Sequence, residues 1–161
     1  MYSSAVKEKK LTFKSTSVDE TIRFGKRLAA LLSPGDVIAL VGELGAGKTT
    51  LTKGIVEGLG VLDRRVVKSP TFSLVHKYEG CIPIYHFDAY RLEDGEEMLD
   101  IGSDEMIYGN GVAIVEWADK VSGYLPKECL KITLTAVSEN ERSIEICGYG
   151  SRYNKIINDL L

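Results

Sequence analysis

The chain has 161 residues, 44% hydrophobic and 27% charged, which is enough for one sizeable core and ordinary for a water-soluble domain. Twenty Lys and Arg against 23 Asp and Glu leave a formal net charge of −3, which argues against a chain whose main task is gripping nucleic acid by counterion release. No apolar run nears the roughly 18–20 residues of a bilayer span, and Met1 to Lys10 is polar with no apolar stretch behind it, so no membrane span or secretory leader is expected and the expected setting is cytoplasmic.

Lys10 to Lys14 alternates and predicts a short strand. Ser17 and Glu20 form a capping box in front of Val18, Ile22, Leu28, Ala29 and Leu32, spaced as one face of a helix that Ser33-Pro34-Gly35-Asp36 stops. Val37 to Val41 is an uninterrupted β-prone apolar run, the pattern of a strand covered on both faces. A glycine-rich loop follows, then a helix over 49–57 closed by Gly58 and Gly60. Phe72 to Tyr78 and Ile82 to Phe87 read as strands around Glu79-Gly80, with Pro83 needing an edge or a strand end because it lacks an N–H. Residues 94–108 read as one or two short helices broken at Gly102, and Val112 to Val115 as a second buried strand ending at Glu116. Leu130 to Leu134 and Ser143 to Ile146 flank Ser138-Glu139-Asn140-Glu141 as a hairpin. Tyr153, Ile156, Ile157, Leu160 and Leu161 predict a closing amphipathic helix. The expectation over 1–161 is a single α/β domain, a three-layer sandwich whose mainly parallel central sheet carries added antiparallel strands. Cys81, Cys129 and Cys147 form no CxxC and only two histidines accompany them, so they read as reduced, buried thiols and not as a zinc site.

The chemistry concentrates in Gly42-Glu43-Leu44-Gly45-Ala46-Gly47-Lys48-Thr49, which fits G-x-x-x-x-G-K-[ST] and lies between a buried strand and a helix, as that motif requires. Glycines let the backbone approach phosphate oxygens, and the N–H groups from Leu44 through Thr50 converge at a helix N-terminus. Lys48 supplies a charge for the β- and γ-phosphates, the Thr49 hydroxyl is a hard ligand for Mg²⁺, and Thr50 supports the α-phosphate side. Glu116, at the end of the second buried strand, is the natural second metal ligand, since an ionised carboxylate buried there requires a cation. Asp88, ending His86-Phe87-Asp88, has three readings: orienting the attacking water, lying behind the metal's direct ligands, or capping the next turn. His86 reads as a packed or hydrogen-bonded strand residue, and Arg91 as a partner for Asp88 or Glu116. Thr71, in Ser69-Pro70-Thr71-Phe72, is a candidate hydroxyl for reporting the γ-phosphate. Trp117 divides between the nucleotide and the core. Ser17 and Arg142 are candidates to approach the base or the phosphates. The GTP-selecting Asn/Thr-Lys-x-Asp element is absent, which favours ATP. Arg64-Arg65-Val66-Val67-Lys68 is the best basic patch for a partner or tRNA, unless it is a plain solvated face.

The P-loop with Thr50, then Lys68-Ser69-Pro70-Thr71-Phe72, His86-Phe87-Asp88-Ala89-Tyr90-Arg91 and Val115-Glu116-Trp117 occur in that order. This arrangement resembles the bacterial TsaE family, the small ATPase of tRNA threonylcarbamoyladenosine biosynthesis. The resemblance runs from about Ser17 to Pro126. It implies a P-loop α/β fold, a site for ATP or ADP with Mg²⁺, and a weak ATPase stimulated by its partners. Those partners are the ASKHA-fold transferase that modifies adenosine 37 and its paralogous subunit, so tRNA is engaged indirectly. Carried onto this sequence, Lys48 contacts phosphates, Thr49 and Glu116 hold Mg²⁺, Thr71 senses the γ-phosphate and Asp88 assists hydrolysis. Two other readings use the same loop: a small-molecule kinase, which needs an acceptor pocket and an arginine-bearing lid, and a nucleotide-gated binding module without turnover.

Overall fold

A computed structural model describes residues 8–161. Seven strands, β1 (Lys9–Ser15), β2 (Val37–Val41), β3 (Val75–Glu79), β4 (Pro83–Asp88), β5 (Val112–Glu116), β6 (Cys129–Ala136) and β7 (Arg142–Tyr149), form one sheet in the order β1-β7-β6-β2-β5-β4-β3. The four central strands, β6, β2, β5 and β4, run parallel, and β7, β1 and β3 are added antiparallel to their neighbours. The expected mixed α/β sheet is therefore present.

Alternation along the central strands divides the core. Ile38 and Leu40 of β2 and Val112 and Ile114 of β5 face α1 (Val18–Ala29), α2 (Lys48–Gly58) and α5 (Ser151–Leu160). Val37, Ala39, Ala113 and Val115 face the layer of α3 (Glu96–Asp100), α4 (Ser103–Ile107) and the 3-10 segment Ala118–Tyr124. Strands apolar on both faces are what this two-sided cover demands. The cap of α1 is as expected: Ser17 Oγ accepts the Glu20 N–H at 3.1 Å, while Glu20 Oε2 accepts the Thr16 N–H at 2.7 Å. The first contact satisfies a donor that the helix itself leaves unpaired, and the second ties the incoming chain to the first turn.

Four expectations need correcting. Residues 72–74 are not strand: a turn closed by the Leu74 N–H on the Pro70 carbonyl occupies them, Leu74 has φ 67°, and Phe72 is 83% exposed. The first helix ends at Ala29, three residues short of Leu32. Leu161 lies beyond α5 and is exposed, because the apolar face of that helix is completed by Leu160. Cys81 is exposed, while Cys129 and Cys147 are buried as expected; all three are free thiols. Pro83 sits at the first position of β4, where its missing N–H costs no interior ladder bond.

Candidate active site

Parallel strands deliver their C-terminal ends to one edge of the sheet, and β2, β5 and β4 bring the loop Gly42–Gly47, Glu116 and Asp88 there together. Register places Asp88 directly beside Glu116 and Leu40 on its other side. The result is a cleft of about 350 Å³ roofed by the start of α1 and the β6–β7 turn. Gly45 (φ 79°) and Gly47 (φ 104°) take left-handed backbone that side chains disfavour, so the loop folds back over the start of α2.

Lys48 is buried over this loop. Its Nζ donates to the Gly42 carbonyl at 2.5 Å and the Glu43 carbonyl at 2.9 Å, and lies 4.1 Å from the centroid of the Trp117 ring. Burial lowers the proton affinity of its ammonium, while Glu116, Asp88, Asp119 and Glu43 act in the opposite direction. Thr49 Oγ1 lies 2.6 Å from Ser69 Oγ and donates to Glu116, 3.1 Å from Oε1 and 3.4 Å from Oε2. Glu116 also accepts from Ser69 Oγ at 3.3 Å and from His86 Nε2 at 2.5 Å, both on Oε2. Asp88 accepts the Tyr90 N–H at 2.9 Å, the turn-capping contact. Burial raises the Asp88 carboxyl above its ordinary value, with the Glu116 charge adding to this and the Tyr90 hydrogen bond opposing it.

Two oxygens on adjacent corners of an Mg²⁺ octahedron, with bonds of about 2.0–2.1 Å, stand about 2.9 Å apart. The 3.1 Å between Thr49 Oγ1 and Glu116 Oε1 matches that spacing, and both are hard oxygen donors. The residues present therefore fit a hydrated Mg²⁺.

The family model for the threonylcarbamoyl adenosine biosynthesis protein TsaE matches residues 15–144. The chain belongs to the TsaE family. It is 44% identical over 153 residues to the tRNA threonylcarbamoyladenosine biosynthesis protein TsaE of Bacillus subtilis, covering 94% of each chain. To the protein of the same name from Treponema pallidum it is 39% identical over 132 residues, covering 82% of this chain and 96% of that one. The crystal structure of Bacillus subtilus YdiB superposes with a TM-score of 0.80 at 36% identity, covering 97% of both chains.

In this TsaE-family chain, Ser17, Leu44, Gly45, Gly47, Lys48, Thr49, Thr50, Thr71, Asp88, Glu116, Trp117 and Arg142 line the one cleft. Ala46 does not: its methyl is in the core and its N–H is bonded to the Glu43 carbonyl. Thr71 reaches the cleft wall, but its hydroxyl is turned to the Ser69 carbonyl at 3.4 Å. Trp117 lines the cleft wall and also packs against the second core layer, with the Tyr90 ring tilted 48° to it at 5.0 Å. Arg142 binds the carbonyls of Ser138, Glu139 and Glu141 and reaches Gly45 O at 3.3 Å, tying the β6–β7 turn to the loop.

Arg91 pairs with neither Asp88 nor Glu116; its guanidinium stacks on Phe72 at 4.2 Å. The basic patch is largely neutralised, Arg64 bonding Glu57 and Arg65 bonding Asp63. The residue that sequence reasoning overlooked is Ser69, whose hydroxyl touches both Thr49 and Glu116. The signal available was its position beside Pro70 in the same motif as Thr71. Val18, Thr21, Tyr90, Glu139 and Asn140 also line the cleft. Their signal is weaker, because only the fold brings α1 and the hairpin turn over the loop.

Proposed function

We propose that this chain binds Mg·ATP in the cleft and hydrolyses it slowly, serving tRNA threonylcarbamoyladenosine biosynthesis in the cytoplasm through a partner complex, the ASKHA-fold transferase and its paralogous subunit. Membership of the TsaE family supports the pathway. The observation that carries the chemistry is the Thr49–Glu116 oxygen pair at 3.1 Å beside a loop of backbone amides and a buried lysine.

Lys48 exchanges its two loop carbonyls for phosphate oxygens, a trade of neutral acceptors for charged ones that favours the bound state. The chemistry that Mg²⁺ would supply there is neutralisation of the phosphate charge. Thr49 and Glu116 would hold that ion, and Asp88, whose proton affinity burial raises, would orient the attacking water and receive its proton. Thr71 leaves the Ser69 carbonyl to meet the γ-phosphate, which makes the 69–74 turn responsive to hydrolysis. Trp117 and Tyr90 cover the flank, and Arg142 holds the turn over the loop. No covalent enzyme intermediate is involved, because positioning and electrostatics suffice for phosphoryl transfer.

Calorimetric titration with ADP and ATP, with and without Mg²⁺, tests this reading. The Lys48→Ala variant should lose about 1.5–3 kcal/mol of nucleotide affinity, the worth of a charge-assisted phosphate contact. Unchanged affinity in Lys48→Ala would overturn the site. Co-purification of the transferase pair should depend on a non-hydrolysable ATP analogue; equal recovery with ATP, ADP and no nucleotide would remove the switch.

A further inference from the structure

His86 is the most deeply buried titratable side chain of the described residues, with no exposed surface, and the chemistry above does not use it. It lies in β4 opposite Ile114, two residues before Asp88, on the face shared with Ile84 and beneath the tilted ring of Tyr78 at 6.2 Å. An imidazole in such surroundings is costly. Its Nδ1 has no hydrogen-bond partner among the described residues, and an apolar side chain of similar size would bury no such unpaired nitrogen. The strongest polar contact of the ring is Nε2 to Glu116 Oε2 at 2.5 Å. With nothing to receive a proton at Nδ1, the tautomer that fits carries its hydrogen on Nε2 and donates it to the carboxylate.

That contact divides the carboxylate in two. Oε2 takes His86 and Ser69, with the Thr49 hydroxyl farther off at 3.4 Å, and Oε1 keeps the shorter Thr49 contact at 3.1 Å as its one hydrogen bond. We infer that His86 is a positioning residue: its Nε2–H pins one oxygen of Glu116 so that the other, with Thr49 Oγ1, stands as a preformed pair of ligands for the divalent cation that accompanies the nucleotide. The inference rests on the Mg·ATP reading above. A neutral donor suits this task because it fixes the rotamer without cancelling the charge the cation needs, which an arginine in the same place would do.

The test measures Mn²⁺ binding to the ADP complex by electron paramagnetic resonance, alongside ADP binding in excess EDTA and urea unfolding. His86→Leu should weaken Mn²⁺ affinity about tenfold or more while His86→Gln, which keeps an N–H near the Nε2 position, stays within about threefold of the parent protein. ADP affinity in EDTA should not change in either variant, and cooperative urea unfolding shows that each is folded. Equal Mn²⁺ affinity in the parent and His86→Leu, or an equal loss in His86→Leu and His86→Gln, overturns the inference. If His86→Leu does not fold, His86→Asn, whose amide falls short of Glu116, carries the same expectation and the same refutation. Failure of the underlying reading shows itself separately, as a parent protein that binds no ADP or binds it with no response to Mn²⁺.

Discussion

The two ends of the central sheet both bury carboxylates, and they treat them in opposite ways. At the start of β2, Asp36 is gripped by Arg152, with Nε at 3.1 Å and Nη2 at 2.8 Å, and accepts the Ser33 N–H at 2.7 Å. Tyr153, next along α5, accepts the Val37 N–H through its hydroxyl at 2.9 Å, and burial pushes that phenol up to about 12. At the other end, Glu116 and Asp88 are 2% and 5% exposed, and among the described residues no lysine or arginine forms an ion pair with either. Their partners are hydroxyls, an imidazole and a backbone N–H. A buried carboxylate joined to its own cation holds the fold together. One left with neutral donors keeps its charge for something that arrives from outside.

The largest effect expected from this contrast is at the closed end. Arg152→Met strands the Asp36 charge, whose side chain is only 6% exposed. Because Arg152 itself is 37% exposed and screened, the expected loss is about 2–3 kcal/mol of stability, at the lower edge of the range for breaking a buried pair. Urea unfolding measures it, and ADP affinity should be untouched. At the open end the loss should vanish: Glu116→Gln removes a buried charge that no lysine or arginine pairs directly, so stability should hold or rise by about 1 kcal/mol while Mg²⁺-dependent nucleotide binding is lost. A Glu116→Gln protein destabilised as much as Arg152→Met would erase the distinction between the two ends.

The smallest effect sharpens it further. The folded Asp88 carboxyl holds its proton more tightly than the same group in the unfolded chain, whose ordinary value is 3.8. Between that value and the raised one the folded state binds more protons, so this group's contribution to stability falls as pH climbs through the interval. Asp88→Asn removes that fall. The stability difference between variant and parent should grow in favour of the variant from pH 4 to neutrality, and a constant difference would show that Asp88 is not held in a charge-averse place.

How much of this was legible depends on whether the information is local. The P-loop, its strand and its helix are contiguous, so spacing alone located Lys48 and Thr49. The strand-end acids Asp88 and Glu116 were legible because an apolar β run ending in a carboxylate reads directly as a buried strand meeting a polar edge. The pairing of β1 with β7 joins residues more than a hundred positions apart, and no local pattern encodes it. The alternation through Phe72 looked like strand because periodicity is blind to the turn that Pro70 and the left-handed Leu74 make. Choosing Thr71 over Ser69 was a choice between two hydroxyls that only their orientation separates. Arg91 illustrates the same limit: its charge suggested a carboxylate, and the exposed ring of Phe72 offered a closer surface.

Trp117 is the only tryptophan in the chain, and the Lys48 ammonium rests on its ring. The protein thus carries its own optical label beside the buried ammonium of the phosphate loop. An indole's emission responds to a cation against its face, so a polyphosphate that drew the ammonium away would become visible as a change in intrinsic fluorescence. Loading and emptying would then be timed in a stopped-flow cuvette with no dye attached and no residue altered.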